Sequence, residues 1–457
     1  MRVEGFLISH LSTLNSQPEY LRFCKTRPHM TPLPTGRFRL NGMLVLAAIA
    51  PLLYYASIIA FSVNVPVGDD YAMLGFLNEF KSASGIGNKL QLLFSFHNEH
   101  RIVVTRSIML ICAKVTGALD FRTLNMIGNF ALLLTLIVIG RMLRLRDDTL
   151  KWALLFLIVL QPQPLKLMFY PMAGVQAYFG LLFSFLYLHF SLKDSTWWYS
   201  ALLFYVLTVL TTGSGIFLAV LGVPLLLYKK CYLRSAIHMA VAILVVILYS
   251  PSSSNLPYLI EHPLTVARFF LFLLGSVAQL PMVGSPALQI AFSLALLGYV
   301  AYFLWDEAFR ASPRFSEVSL ATLCCLLYLL MVIGLIAVGR ASLYEGDLWG
   351  ASLDGRYRIY SILFSALCCI DVVGRLRERE KAAARFATVL VTLSLLFNLV
   401  WFVPSIIRMR FDSAGREQAM KHWQETRDIS VLPIWSTPPE DAQTNLVNAI
   451  SSGGYRP

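Results

Sequence analysis

The sequence predicts an all-α polytopic membrane protein with about eleven transmembrane helices. Of its 457 residues, 57% are hydrophobic and only 14% are charged. Such a composition leaves too few polar residues to cover a soluble globule. Apolar stretches of about 20 residues recur along the chain, which is the length an α-helix needs to cross a hydrocarbon core.

The charge pattern favours a membrane over a nucleic acid as the partner of the basic residues. The net charge is +12, but the lysines and arginines lie in short clusters between the apolar stretches. Basic clusters of this kind mark the cytoplasmic side of a membrane. We therefore expect the basic residues to contact membrane lipid and not nucleic acid.

The basic clusters also predict the orientation. The N-terminal stretch 1–40 is rich in arginine and is expected in the cytoplasm. The other clusters become cytoplasmic together if the spans are 41–64, 123–143, 151–166, 175–192, 197–212, 214–229, 235–250, 285–306, 317–338, 359–374 and 386–407. Residues 1–407 then form the transmembrane domain, 65–122 form the first outer loop, and 408–457 form a short periplasmic tail. We expect the bacterial inner membrane as the location.

Two further apolar segments, 102–118 and 264–280, are predicted to lie on the outer face as interfacial helices. Each is short and has an arginine near its start, Arg106 or Arg268. If either segment crossed the membrane, the basic clusters after it would lie on the outer side, against the rule that basic loops are cytoplasmic. Both segments are therefore expected to lie on the membrane surface.

The first outer loop begins with an acidic pair in VPVGDDYAML. Asp69 and Asp70 follow the first span by a few residues, and we expect both carboxylates to face solvent. One interpretation is a cap on a following helix over 71–81, where acids favour the helix dipole. The other is a catalytic pair at the membrane surface.

A second polar cluster favours the catalytic interpretation. The run FHNEHR contains His97, Glu99, His100 and Arg101. Helical spacing would place His97 and Arg101 on one face, with Arg106 a little over one turn further along. Metal binding by the two histidines has no third defined ligand, so no metal site or other cofactor is assigned and a divalent cation is unsupported.

Further polar residues lie at the outer ends of later spans. Lys166, Tyr170 and Gln176 occur around the third and fourth spans, and the loop GRASLYEGDLWGASLDGRYRIY follows the ninth. Two interpretations of that loop remain open, mutual salt bridging and contact with a phosphate or a sugar. Its candidate binding residues are Arg340, Glu345, Asp347, Arg356 and Arg358.

This layout resembles the GT-C glycosyltransferases, in which a first span leads into an outer loop with an acidic pair, a His-containing motif and interfacial helices. The similarity rests on VPVGDDYAMLGFL, on FHNEHRIVVTR and on QPQPLKLMFYPMAGVQAYFG, roughly the first half of the chain. It is similar in particular to uncharacterised bacterial membrane proteins with an HNEHRI motif, and more loosely to O-antigen glucosyltransferases and protein mannosyltransferases.

The resemblance implies a GT-C-like fold and a polyprenyl-phosphate-linked sugar as donor. The acceptor would be a surface glycan, such as that of a lipopolysaccharide, or a protein. Asp69 or Asp70 would act as general base. Arginines and Lys166 would stabilise the phosphate that leaves, and Tyr170 and Gln176 would bind sugar hydroxyls.

Two other function classes remain open. A transporter or flippase would place ionisable or Gly/Pro-broken segments near the bilayer midplane, whereas the charges here gather at the outer side. A polymerase or ligase of surface glycans would be expected to have a larger late loop than the one of about twenty residues between the ninth and tenth spans.

Overall fold

The computed structural model describes residues 37–98, 100–146, 148–193, 197–249, 256–281, 283–309, 315–376, 380–434 and 437–457. Most of the N-terminal stretch that we predict to be cytoplasmic lies outside these ranges, as does Glu99. The described part of the chain before Met43 is the beginning of the first helix, and the residues from Met43 onward form one compact unit.

The described chain is α-helical apart from one two-stranded hairpin. Its first half contains α1 Arg37–Phe61, α2 Asp70–Ser82, α3 Gly85–Phe94, β1 Phe96–His97, β2 His100–Arg101, α4 Val103–Thr116, α5 Phe121–Met142, α6 Thr149–Val159, α7 Leu165–Met168, α8 Pro171–Ser191, α9 Trp198–Val209, a 3-10 helix Gly213–Phe217 and α10 Leu218–Tyr228. Its second half contains α11 Tyr232–Tyr249, α12 Leu256–Glu261, α13 Pro263–Gly275, a 3-10 helix Ser276–Ala278, α14 Pro286–Phe309, α15 Glu317–Arg340, a 3-10 helix Ala341–Tyr344, α16 Leu348–Ser352, α17 Gly355–Arg375, α18 Glu380–Thr426, a 3-10 helix Ile429–Val431 and α19 Pro439–Ser451.

Seven of these helices are long and apolar enough to cross a membrane, namely α5, α8, α11, α14, α15, α17 and α18. The chain is thus a multi-pass membrane protein. The four other predicted spans coincide with shorter apolar helices, in α1, α6, α9 and the Gly213–Tyr228 region. The two segments predicted to be interfacial form α4 and α13, of 14 and 13 residues.

The third predicted span is interrupted by prolines. Helix α6 has 11 residues and ends at Val159, before Pro162 and Pro164 in QPQP. Proline removes a backbone donor and clashes with the preceding turn, so the helix cannot continue. The amide of Gln163 donates to the carbonyl of Val277 at 3.1 Å, which holds this irregular stretch inside the protein. Lys166 follows this stretch, in the short helix α7.

Helices α5 and α8 form the most extensive helix pair and share a close approach of backbones. A Cβ added at Gly128 would lie 3.0 Å from the backbone of Gly174, so the absence of a side chain permits this contact. Asn129 on α5 donates to the carbonyl of Met168 at 3.1 Å. Small residues at such crossings are typical of membrane helix pairs. The pair fixes the start of α8, where the candidate site lies.

The last helix continues far beyond the predicted end of the eleventh span. Helix α18 is 47 residues long and carries the chain into the segment predicted to be the tail. There α19 packs on α2 of the first loop, and Trp423 is fully buried in the same hydrophobic cluster as Tyr71. The hydroxyl of Tyr455 donates to the carbonyl of Asn64 at 2.6 Å. The C-terminal segment and the first loop therefore lie on the same side of the helix bundle.

Candidate active site between the first loop and the late loop

A chamber of about 540 Å³, here called the Asp69 chamber, opens between the first loop and the start of α17. It brings together side chains that are far apart in the sequence. Its polar lining includes Asp69, His97, His100, Gln176, Arg340, Arg356 and Tyr357. One carboxylate, two imidazoles and two guanidinium groups therefore share one cavity.

Asp69 is placed in the chamber by a turn that precedes α2. Gly68 has φ +55°, in the left-handed region, and donates its N–H to the carbonyl of Pro433 at 3.0 Å. The backbone N–H of Asp69 donates to the hydroxyl of Tyr170 at 2.6 Å, and the same tyrosine also hydrogen-bonds to the Asp69 side chain. Half-buried and held by Tyr170, Asp69 presents a carboxylate to the chamber.

Asp70 has the opposite environment, and the expectation that both acids face solvent is wrong for it. It is 0% exposed, and its two carboxyl oxygens accept the backbone N–H groups of Val67 and Met172, each at 3.0 Å. Burial raises its pKa from 3.8 to about 8, a shift that these two hydrogen bonds oppose. Asp70 therefore ties the first loop to the start of α8 and does not reach the chamber.

The FHNEHR run forms a hairpin, so the helical spacing expected there is wrong. Strands β1 and β2 pair His97 with His100, and Asn98 in the turn has φ +51°. Residues paired across two strands project to the same face. Both imidazoles consequently line the chamber, and burial lowers the pKa of His97. A histidine with a lowered pKa is neutral at pH 7.

Two arginines of the first loop stabilise its fold and do not line the Asp69 chamber. Arg101 donates to the carbonyls of Phe94 and Leu248 at 3.0 and 3.2 Å, with its guanidinium over the ring of Phe96. Arg106 is 4% exposed and donates to three carbonyls near the end of α3, the shortest contact being 2.6 Å to Ser95. Burial lowers its pKa to about 10, so it remains a cation. These contacts assign both arginines to the loop structure.

The late loop separates the two arginines that sequence analysis groups together. Arg356 lines the Asp69 chamber and pairs with Asp354 at 3.1 Å. Arg358 lines a second cavity and is 5% exposed. Side chains two positions apart on a helix point in different directions, which explains the separation. They cannot hold the same phosphate.

The second cavity, here called the Arg358 cavity, has a volume of about 1130 Å³. Lys166 and Asp347 line it as well, and Lys166 pairs with Asp354 at 3.0 Å. Asp347 caps α16 by accepting the N–H of Gly350 at 2.8 Å, and Glu345 is exposed and interacts with Tyr258. Salt bridging within the late loop therefore exists at Asp354, which pairs with Arg356.

Several chamber residues carry no signal that sequence reasoning used. Tyr249, Tyr360 and the turn at Gly213 also line the chamber. A Cβ added at Gly213 would lie 2.7 Å from Nδ1 of His100, so glycine is needed there for close approach and not only for a turn. Within the described ranges, no group of three or more His, Cys, Asp or Glu residues could hold a metal ion.

The comparisons with known proteins define no class for this chain that is narrower than a multi-pass α-helical membrane protein. No protein-family model matches it. No curated protein matches it either. Among solved structures it is similar to the crystal structure of ArnT from Cupriavidus metallidurans in the apo state. That match has a TM-score of 0.33 and 14% sequence identity, and covers 73% of this chain and 77% of ArnT. A likeness of this size carries no argument about function.

Proposed function

We propose that the chain is a GT-C-type membrane glycosyltransferase that moves a sugar from a polyprenyl-phosphate donor to a glycan or protein acceptor. The observation that carries this proposal is the Asp69 chamber, in which one carboxylate shares a cavity with Arg340 and Arg356. Its volume of about 540 Å³ is in the range of small-ligand sites. A base beside fixed cations is the combination that transfer from a phosphate leaving group needs.

The reaction follows from the positions of these groups. The Asp69 carboxylate takes the proton of an acceptor hydroxyl while that oxygen forms a bond to the anomeric carbon. The bond from the anomeric carbon to the phosphate oxygen breaks, and its electron pair leaves with the polyprenyl phosphate. Arg340 and Arg356 stabilise the negative charge that grows on this phosphate. Only Asp69 of the acidic pair is available as the base, because Asp70 is buried and bonded to two backbone N–H groups.

The remaining chamber residues would bind the sugar. Gln176 and Tyr357 offer hydrogen-bonding groups to hydroxyls, and neutral His97 offers one donor and one acceptor. Tyr170 acts as a positioning residue, since it holds both the backbone and the side chain of Asp69. We place this chamber on the periplasmic side of a bacterial inner membrane, where lipid-linked sugars and surface glycans meet.

Donor turnover tests the proposal directly. The purified protein would be incubated with farnesyl-phosphate glycosides of glucose, mannose, galactose and N-acetylglucosamine, together with lipid-linked glycans extracted from bacterial membranes. Release of farnesyl phosphate would be followed by mass spectrometry. We expect turnover of at least one donor, and a loss of roughly a hundred-fold to ten-thousand-fold in Asp69→Asn, as for removal of a general base.

The matched control is Asp428→Asn. Asp428 lies in the C-terminal segment, outside both cavities, where it accepts the N–H of Ser430 at 2.9 Å. This control should turn over donor at the wild-type rate. Equal turnover by Asp69→Asn and wild type would remove the catalytic assignment, and no turnover of any donor by wild type would remove the proposed donor class.

A further inference from the structure

The Arg358 cavity contains a buried cation that forms no ion pair with any carboxylate in the part of the chain that the structure describes. Arg358 is 5% exposed and lines this cavity near the start of α17. Its Nε is buried and has no hydrogen-bond partner in the described chain. The other three cations in the lining have polar partners: Lys166 pairs with Asp354, Arg408 forms an ion pair with Asp412 at 3.6 Å, and Arg416 donates to the carbonyl of Phe169 at 3.0 Å.

Internal contacts do not account for the burial of this guanidinium. The effective cost of taking an ion out of water in a protein is several kcal/mol. The ring centroid of Trp401 lies 5.5 Å from the guanidinium carbon, and the charge of Asp354 also acts on Arg358, although Asp354 forms its ion pairs with Lys166 and Arg356. A cation–π contact contributes about 0.5–2 kcal/mol, which is less than that cost. An anion in the cavity would supply the stabilising charge that the contacts of Arg358 within the protein do not.

The walls of the cavity show what kind of anion fits. Besides four cations and the carboxylates of Asp347, Asp354 and Asp412, apolar side chains line it, among them Leu280, Trp401, Met409 and Phe411. Trp401 and Met409 belong to α18, a helix long and apolar enough to span the membrane, and its neighbouring face is exposed at Val403 and Ile407. The cavity of about 1130 Å³ therefore joins a charged wall that contains Arg358 to an apolar wall beside the exposed face of α18.

We propose that the Arg358 cavity binds a phosphate-bearing amphiphile, with the phosphate on Arg358 and the hydrocarbon along α18. The site is separate from the Asp69 chamber, and the proposal stands whether or not that chamber transfers sugars. The phosphate could belong to a polyprenyl phosphate or to a glycerophospholipid. Both offer the same oxygen acceptors to a guanidinium fork.

Native mass spectrometry of the purified protein in a nonionic detergent tests this site. The probes are farnesyl phosphate, palmitoyl lysophosphatidic acid and, without a phosphate, farnesol. Wild type should bind one or both phosphate lipids at this site, and should not bind farnesol there. Arg358→Leu should weaken that binding at least tenfold. Preference for farnesyl phosphate would indicate a polyprenyl carrier, and preference for the lysolipid would indicate a glycerophospholipid.

Two controls separate this cavity from the chamber and from general surface charge. Arg340→Gln alters the Asp69 chamber and should leave Arg358-dependent binding unchanged. Arg122→Leu removes an exposed arginine that pairs with Asp120, and it should bind as wild type does. Equal binding of both phosphate lipids by wild type and Arg358→Leu would overturn the proposal.

Thermal unfolding distinguishes a ligand site from a structural role. Because an unpaired buried charge is unfavourable, ligand-free Arg358→Leu should melt at or above the wild-type temperature. It should also lose the rise in Tm that the phosphate lipid gives wild type, while Arg358→Lys should keep part of it. A lower Tm in Arg358→Leu together with an unchanged ligand-induced rise would assign Arg358 to structure alone.

Discussion

Neighbouring residues with the same charge have different environments at two places in this chain. Asp69 is half-buried beside the chamber, whereas Asp70 is fully buried and bonded to backbone. Arg356 reaches the Asp69 chamber, whereas Arg358 reaches the other cavity. In each case the two side chains leave the backbone in different directions, at the beginning of α2 or in the first turn of α17. The local geometry of a helix start therefore decides which residue of each pair meets a substrate.

The first prediction concerns the stability contributed by Asp70. Its two oxygens accept the N–H groups of Val67 and Met172. In Asp70→Asn one oxygen becomes an NH₂ group, which cannot accept, so one buried N–H loses its partner. The cost of such a group is about 1–3 kcal/mol. We expect a lower Tm for Asp70→Asn than for wild type, measured by differential scanning fluorimetry.

Asp69→Asn serves as the matched variant in that experiment. Its carboxylate faces the chamber and is only half-buried, so the Tm should stay near that of wild type. The reverse order of the two melting temperatures would contradict the different roles assigned to these acids.

The second prediction concerns the pH dependence of stability that arises from Asp70. Burial raises its folded pKa to about 8, against an ordinary value of 3.8. Between these values the unfolded state binds fewer protons at this site than the folded state, so its contribution to stability falls as pH rises. We expect the Tm difference between wild type and Asp70→Asn to shrink as pH is raised from 5 to 9. A difference that stays constant from pH 5 to pH 9 would show that the folded carboxyl is already ionised throughout this range.

Sequence reasoning found the residue types of the site better than their geometry. The acidic pair, His97, His100, Gln176 and Arg356 all stand out as polar residues beside apolar spans. The hairpin at His97 was not predicted, because its strands have two residues each and show no detectable alternation. The burial of Asp70 depends on Met172, which lies 102 positions away, and no local pattern encodes that contact.

At the scale of helices, the contact between α5 and α8 depends on the lack of a side chain at Gly128. A Cβ there would be 3.0 Å from backbone atoms of Gly174 and Val175. The third prediction is that Gly128→Leu separates the two helices and lowers stability, since overpacking costs about 1–3 kcal/mol. Because α8 begins beside Tyr170 and carries Gln176, donor turnover should fall as well. Both effects are measurable on the purified protein.

Gly298 supplies the control for this substitution. It lies in α14 on an exposed part of the helix, and a Cβ added there would meet nothing within 4 Å. Gly298→Leu should therefore leave both Tm and turnover unchanged. Equal losses in the two variants would mean that leucine harms these helices for reasons other than packing.

Element lengths show what hydropathy can and cannot reveal. The long spans were predicted because a run of about 20 apolar residues is a strong signal. The early end of α6 at Val159 could have been taken from Pro162 and Pro164, but the apolar run continues past it. The extension of α18 to Thr426 was not predicted, because its outer part is polar and is held by packing in the cluster around Trp423.

At the scale of the whole molecule, the C-terminal segment and the first loop lie together. Leu119 donates its N–H to the carbonyl of Gly454 at 2.8 Å, and α19 packs on α2. If α1 crosses the membrane, a chain whose end meets the loop after α1 crosses an odd number of times in total. If the eleven expected spans all cross, that parity requires that α4 and α13 either both cross or both remain at the surface.

The fourth prediction concerns the side of the membrane on which this assembly lies. The basic residues Arg141, Arg144 and Arg146 follow α5 directly or end it, so the positive-inside rule places them in the cytoplasm. We expect a green fluorescent protein fused after Arg146 to be fluorescent. Alkaline phosphatase fused after Pro457 or inserted at Gly350 should be active, since both positions would be periplasmic.

Contacts between the C-terminal segment and the first loop mean that the Pro457 fusion also reports the side of the Asp69 chamber. Active phosphatase after Arg146, with inactive fusions at the other two positions, would place the chamber in the cytoplasm. A donor whose sugar is presented at the periplasmic surface could not then reach Asp69, and the proposed transfer reaction would have to be abandoned.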